Sequence, residues 1–519
     1  MHRTKILNSI RNYNNKLDFI VIGGGATGLG IALEASSRGY SVILLEQNDF
    51  TKGTSSRSTK LVHGGVRYLA QGNISLVKEA LRERGFMKKN APHLVKNQSF
   101  IIPAYKWWVK PYYTIGLTIY DLLSGRLSLG WSIPTSRKKV LECIPTLKRK
   151  GLKGGVMYHD GQFDDSRFGI NLCQTIIEKG GIVINYMKVS SLIKENNKVT
   201  GVIAIDQETG KEFHIKSNNI INATGVFIDD IIKMDTPNAP KMVCVSQGVH
   251  LVLDKEFVPN NFAIMIPKTK DGRVLFAVPW HQKVIVGTTD VLKENAELEP
   301  IALEEEIDFI LETAGRFLAK KPNRSDVKSV FAGLRPLAAP KEGSLKTKEI
   351  SRKHKIVISD SGMLTITGGK WTTYRQMGED VINLLIKKTD FKQTTSNTKN
   401  LKIHGYMEDV NYENPLSVYG SDAEQLLVLA KSENLENYLS ESLKIITAQV
   451  IWGARFEMAR TVEDILARRT RALFLDAKES VRIAPKVANL LAKELGFNKE
   501  WEKIQIEKFN AIATNYILN

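Results

Sequence analysis

The chain has 519 residues, 43% of them hydrophobic, with 73 Lys and Arg against 55 Asp and Glu and a net charge of +18. That apolar content excludes a disordered polyelectrolyte, and at about 150 residues per domain the length implies two or three domains. The charge calls for a negative counterpart without choosing among anionic lipid, nucleic acid and a phosphorylated substrate.

Met1 to Lys16 alternates polar and apolar residues without an apolar core, and no run of about 18 uncharged apolar residues follows anywhere. The protein is therefore expected to be made and kept in the cytoplasm. Phe19 to Glu46 then reads Phe-Ile-Val-Ile, Gly23-Gly24-Gly25-Ala26-Thr27-Gly28, an apolar helical stretch, and Ile43-Leu44-Leu45-Glu46. This is the strand, glycine turn, helix and strand of a dinucleotide-binding unit. Gly23 serves the turn, Gly25 lets the backbone approach a pyrophosphate, and Gly28 lets the helix pack on the strand. The N–H groups around Ala26 and Thr27 face the anion. Glu46 ends the second strand, where a carboxylate accepts from the ribose hydroxyls of an adenosine. A lone Gly-x-Gly-x-x-Gly is weak, but strand, helix and acid in the right places make this one specific, and FAD is the cofactor it predicts. No second unit of this kind occurs, so nicotinamide is not expected to bring or take the electrons.

Further along, Thr54-Ser55-Ser56-Arg57 leads to His63-Gly64-Gly65-Val66-Arg67-Tyr68-Leu69. Small hydroxylated residues and paired glycines permit close approach to a cofactor, and Arg67 with Tyr68 can hold a phosphate. Ile101 to Leu123 gathers Tyr105, Trp107, Trp108, Tyr112, Tyr113 and Tyr120 with Lys106, Lys110 and the aliphatics Ile115, Leu117, Ile119, Leu122 and Leu123. It is too interrupted to span a bilayer and reads either as an interfacial anchor, which the positive charge would assist, or as an aromatic core helix. Val183 to Ile205 reads as two strands around a turn at Glu195-Asn196-Asn197, with a second hairpin turn at Gln207-Glu208-Thr209-Gly210. The strand ending in Ala223-Thr224-Gly225 suits the last strand of an FAD domain, where the chain returns beside the cofactor. Cys143, Cys173 and Cys244 are too far apart for a disulfide framework or a metal site, no metal being expected, and read as buried small hydrophobes.

Two later segments combine glycine with a cation: Gly333-Leu334-Arg335-Pro336-Leu337, and Thr367-Gly368-Gly369-Lys370-Trp371-Thr372, where a diglycine precedes a helix start that aims N–H groups and Lys370 at an anion. Residues 387–400 form a polar run that reads as a linker. Helix-period patterns such as Ala423 to Lys431 and Val487 to Leu495 then predict a helical C-terminal domain.

These segments, together with the stretch Glu457-Met458-Ala459-Arg460-Thr461-Val462-Glu463-Asp464, resemble the FAD-dependent, aerobic, respiratory glycerol-3-phosphate dehydrogenases from about residue 16 to about residue 510. The resemblance implies an α/β (α+β) fold: a two-dinucleotide-type FAD-binding Rossmann domain, a mixed-sheet substrate domain interleaved with it over 1–386, a linker over 387–400 and a helical domain over 401–519. It implies oxidation of sn-glycerol 3-phosphate to dihydroxyacetone phosphate, the electrons passing through FAD to membrane quinone, in a protein attached peripherally to the inner face of the cytoplasmic membrane. The family also suggests a homodimer. The residue chemistry agrees: Arg67, Tyr68, Arg335 and Lys370 suit the phosphate dianion, Arg335 also acting in catalysis. FAD would lie against Gly23, Gly25, Ala26, Thr27, Gly28, Glu46, Thr54, Ser55, Ser56, His63, Gly64, Gly65, Ala223, Thr224, Gly225, Gly333, Gly369, Lys370, Trp371 and Thr372. His250 is the candidate base, because a histidine titrates near working pH. A satisfied strand histidine is the alternative reading there, and His63 or His281 compete for the role. A peroxide-forming oxidase of the same fold is the first rival; such relatives carry a mid-chain insertion, and no spare segment is present here. A tRNA-modifying flavoprotein would want reactive cysteines or a basic, aromatic-lined face, and no nucleic acid is expected. An amino-acid oxidase would need only one cation.

Overall fold

The computed structural model describes residues 1–12, 15–69, 72–269, 272–338, 354–388 and 391–518, apart from the side chains of Arg67 and Ala338. Its first sheet has six strands in the order Lys355–Ile358, Leu364–Thr367, Ile220–Asn222, Phe19–Ile22, Val42–Leu45 and Ile182–Ile184. All neighbours are parallel except the outer pair Lys355–Ile358 and Leu364–Thr367. The four inner strands are buried along their whole length, as a parallel sheet covered on both faces requires. Strand alternation sorts the side chains. Phe19, Val21, Val42 and Leu44 pack with Leu29 and Leu33 of the helix Ala26–Ser37 and with Val381 and Leu385 of the helix Tyr374–Lys388. Ile20, Ile22, Ile43 and Leu45 pack instead on Met187, Val202, Phe213 and Ile215.

Those last residues belong to a three-stranded antiparallel meander, Met187–Glu195, Lys198–Asp206 and Glu212–Lys216. Asn196 and Asn197 take left-handed φ values of 50° and 61° at its first turn, the backbone that a tight hairpin demands. The single strand read from Val183 is divided, however. Ile182–Ile184 joins the first sheet, and the chain turns at Tyr186, φ 54°, before the meander begins. A sequence period of two cannot distinguish one strand from two that belong to different sheets.

The second sheet is mixed and has ten strands. At one end it carries the long antiparallel pair Val243–Asp254 and Val327–Ala338, whose register sets Ser246 opposite Arg335 and His250 opposite Phe331. Val95–Ala104 and Phe262–Ile266 make its one described parallel pairing. The helices Asp422–Ser432, Ala448–Phe456, Ala477–Leu495 and Lys499–Thr514 follow the sheets in sequence. Leu466, Phe474, Val487 and Phe509 from this region form one core with Val252, Trp280, Ile285 and Phe331 of the second sheet. The polar run 387–400 starts inside the helix Tyr374–Lys388, and Phe391 packs at 5.3 Å from the ring of Phe19. Cys143 and Cys173 are buried free thiols, whereas Cys244 is only half-buried, a correction that follows from its outward position on the strand Val243–Asp254.

The aromatic segment divides into two faces. Ile101 to Ala104 end a strand, and Val109–Ser124 is a helix. Leu117 and Tyr120 point inward, the Tyr120 hydroxyl donating to Asp160 Oδ2 at 2.7 Å and accepting from Gly64 N. Trp108, Tyr112, Ile115, Ile119 and Leu122 recur every three or four residues on the outer face. They are joined by Trp107, 76% exposed, and by Trp131 and Ile133 from the following loop and strand. No helix among the described residues is long and apolar enough to cross a membrane.

Candidate active site

The strand Phe19–Ile22 delivers the chain into Gly23, whose φ of +109° only glycine adopts freely. A Cβ there would lie 2.7 Å from the Ala223 carbonyl oxygen, so the glycine turn and the Ala223-Thr224-Gly225 segment close one cradle from two sides. A Cβ on Gly28 would lie 1.9 Å from Gly23 O. Gly28 thus acts from behind the turn and does not itself line the cavity. The N–H groups at the helix start are not all open, because Ala26 N donates to Ser55 Oγ at 2.9 Å. Glu46 accepts from Gly24 N at 2.6 Å and Asn48 N at 2.7 Å. Burial pushes its carboxyl up, and the two N–H donors oppose that.

From this cradle a cavity of about 730 Å³ runs between the two sheets. It is lined by Gly23, Gly25, Ala26, Thr27, Glu46, Thr54, Ser55, His63, Gly65, Ala223, Thr224, Gly225, Gly333, Gly369, Lys370, Trp371 and Thr372 of the residues picked out for the cofactor. Two remote segments are tied together at its edge, Trp371 Nε1 donating to Ser55 O at 2.8 Å and Thr54 Oγ1 to Leu334 O at 2.6 Å. Ser56 and Gly64 do not reach the lining. Ser56 offers its carbonyl to Lys60 and Arg471, and Gly64 N donates to Tyr120, so both serve the wall rather than its surface.

Arg335, Lys370, Tyr68 and His250 line the same cavity. Arg335 reaches Thr288 Oγ1 at 3.1 Å, Thr289 O at 3.2 Å, Gln247 O at 3.3 Å and Asp290 Oδ1 at 3.4 Å. Gly248 makes room for it, since a Cβ there would lie 2.2 Å from Arg335 Nη2. Lys370 Nζ sits 4.2 Å from the centre of the Tyr68 ring, a cation–π contact that holds the ammonium at the cavity wall. Arg67 lies in the short helix Val66–Leu69, and its side chain is outside the described residues.

His250 is buried, with Nε2 2.9 Å from Thr59 Oγ1 and its ring stacked on Phe331 at 4.8 Å. Burial first, and then the positive charges of Arg335 and Lys60, hold its pKa well below the ordinary value. Against the expectation that it titrates near working pH, this environment favours the neutral imidazole, the form that accepts a proton. Of its rivals, His63 also faces the cavity, whereas His281 does not line it and pairs with Asp164 at 3.2 Å. Among the cavity residues that carried no role in the sequence reading are Thr59, Arg273 and Asp290. Asp290 accepts from the Ser246 hydroxyl and from Arg335. Nothing local marks it, because its partners lie on two other strands.

The family profile described as FAD dependent oxidoreductase matches residues 18–375, and that described as the C-terminal domain of alpha-glycerophosphate oxidase matches residues 363–502. The mitochondrial glycerol-3-phosphate dehydrogenase of Schizosaccharomyces pombe is 38% identical, over 99% of this chain and 89% of its own length. The chain belongs to the FAD-dependent glycerol-3-phosphate dehydrogenases. Within that family the human mitochondrial protein is 37% identical, over 95% of this chain and 72% of its own length. Among solved structures, the glycerol-3-phosphate dehydrogenase from Bacillus halodurans complexed with FAD superposes with a TM-score of 0.81 at 29% identity, covering 99% of this chain and 97% of that one. The L-alpha-glycerophosphate oxidase of Mycoplasma pneumoniae shares the fold at 16% identity, with a TM-score of 0.57 over 74% of this chain and 98% of that one. FAD is the cofactor of this dehydrogenase family, and the cradle fits it: Gly23 makes the turn that only glycine adopts freely, and Gly25, where a pyrophosphate needs backbone access, lines the cavity beside Ala26 and Thr27.

Proposed function

We propose that this chain oxidises sn-glycerol 3-phosphate to dihydroxyacetone phosphate and passes the electrons to a membrane quinone while docked on an anionic bilayer surface. The observation that carries the reading is the convergence of Arg335, the Lys370–Tyr68 pair and His250 on the cavity that the dinucleotide cradle opens into. A phosphate dianion is held best by fixed cations in a confined site, where a guanidinium can form two parallel charge-assisted hydrogen bonds. Arg335 and Lys370 supply such charge, and Arg67 is the further candidate. With the phosphate anchored, the C2 hydroxyl can be presented to His250, whose neutral ring takes up the hydroxyl proton. Bound FAD supplies the two-electron acceptor for the C2 hydrogen.

The quinone reading draws on the apolar side of the cavity. Phe100, Tyr158, Met265, Val274 and Phe276 line it and share a core with Leu117 and Tyr120 of the helix Val109–Ser124. The outer face of that helix is the aromatic and aliphatic stripe described above, which suits the headgroup boundary of a bilayer. A tRNA-modifying role gains nothing from Cys143 and Cys173, since burial pushes both thiols up.

The test is anaerobic addition of sn-glycerol 3-phosphate to the FAD-loaded protein, followed by supply of quinone or oxygen. Bleaching with fast quinone reduction and little peroxide is the expected result. Stoichiometric peroxide in air would assign an oxidase instead, and no bleaching would overturn the substrate.

A further inference from the structure

The loop 54–60 lines the cavity on one side and is gripped on the other by a buried ionic cluster outside the lining. Asp165, the first residue of the helix Asp165–Glu178, is fully buried. Its Oδ2 accepts from Lys60 Nζ at 2.7 Å, Ser58 Oγ at 2.7 Å and Ser58 N at 3.2 Å, and its Oδ1 from Ser166 N at 2.9 Å and Arg471 Nη2 at 3.0 Å. Lys60 and Arg471 also both donate to Ser56 O, at 2.6 and 3.2 Å. Arg471 belongs to the C-terminal region, donates to Ala467 O at 2.8 Å, and lies over the rings of Phe474 and Trp280. Thr59 stands between the two gripped residues, Ser58 and Lys60, and its hydroxyl meets His250 Nε2.

That connectivity leaves the loop little freedom. Five donors saturate one carboxylate, and two basic side chains share one carbonyl, so removing either one takes a grip from both Asp165 and the Ser56 carbonyl. A hydroxyl on a loop so fixed selects one ring orientation in the histidine it touches.

We propose that Arg471, Asp165 and Lys60 are positioning residues, a brace by which the C-terminal region holds Thr59 and, through it, orients the His250 ring for proton removal from the substrate. This rests on His250 being the base. The proton goes from the substrate hydroxyl to His250, and the brace takes no part beyond holding geometry.

The experiment uses FAD-loaded full-length protein and measures anaerobic bleaching by sn-glycerol 3-phosphate across the pH range, alongside flavin content. Thr59→Val and Arg471→Met are each expected to slow bleaching by on the order of 10²-fold, the size of one misplaced base, and to steepen its rise with pH as hydroxide replaces the misaligned imidazole. FAD content should stay near that of the wild type, and Arg471→Lys should recover part of the rate. Because both act through one contact, the double variant should be no slower than the worse single one; losses that multiply would show independent structural effects and overturn the brace. If Arg471→Met does not fold, Ser58→Ala removes a single hydrogen bond to Asp165 and is expected to slow bleaching by about fivefold; an unchanged rate overturns the proposal. His250→Asn separates the two readings. Wild-type bleaching by that variant removes the base, whereas slow bleaching by it beside normal bleaching in Thr59→Val removes only the brace.

Discussion

Replacing Arg335 by Met tests the substrate site directly. The guanidinium is about a quarter exposed, and its four contacts span 3.1 to 3.4 Å, longer than the 2.7–2.9 Å typical of a charge-assisted bond. A phosphate dianion at the cavity would offer two such bonds at about 1.5–3 kcal/mol each. Part of that is offset by weakening the contact to Asp290, which leaves about 4 kcal/mol, or on the order of 10³-fold in kcat/KM. Methionine has the length of the arginine stem and fits the space that Gly248 leaves, so the cavity should keep its shape. The assay is the rate of anaerobic bleaching against concentration, with sn-glycerol 3-phosphate and with glycerol as the phosphate-free comparison. The variant should lose its advantage for the phosphorylated substrate and react with glycerol as the wild type does. Equal losses for both compounds, or none for either, would refute the placement of Arg335 at the phosphate.

Gly28→Ala places a methyl 1.9 Å from Gly23 O, where no rotamer relieves the contact, so the purified variant should carry little flavin; a full complement in its absorption spectrum would show that the turn can move. Asp49 is fully buried against Arg468 and Arg469, with Arg469 donating at 2.7 and 2.9 Å. Burial alone would raise its carboxyl, but Arg469 and Arg468 outweigh that and hold it below its ordinary value. Its stabilisation is therefore complete above the unfolded value near 4 and is lost as pH falls through the lower folded one. Asp49→Asn should cost about 3–5 kcal/mol in urea unfolding at neutral pH, and the gap to the wild type should narrow in acid; a gap independent of pH would contradict the assignment. Ile115→Ser with Leu122→Ser removes two outward side chains, one of them 63% exposed, and should weaken co-sedimentation with anionic phospholipid vesicles by on the order of 10²-fold. Undiminished sedimentation would place the docking face elsewhere.

The dinucleotide unit at 19–46 was legible because everything it needs is local: short continuous apolar runs, glycines at fixed offsets and an acid at the strand end all lie within one supersecondary motif. The diglycine before Lys370 and the helical periods near the C-terminus were legible for the same reason. The sequence could also gather Arg335, Lys370, Tyr68 and His250 as candidates, since glycine beside a cation is a local pattern, but only the strand pairing of 243–254 with 327–338 and the tie from Trp371 to Ser55 bring them to one cavity. The helix Val109–Ser124 shows the limit plainly. Its aromatic and aliphatic residues fall on every side, so their pattern alone could not say that Tyr120 turns inward to Asp160 while Tyr112 faces out. His250 was named from its type, yet its charge state is set by burial and by Arg335 and Lys60, far away in the chain. Propensity and turn chemistry act over a few residues and can be read from order alone. Burial, charge state and the convergence of a site are sums over neighbours that only the folded chain assembles.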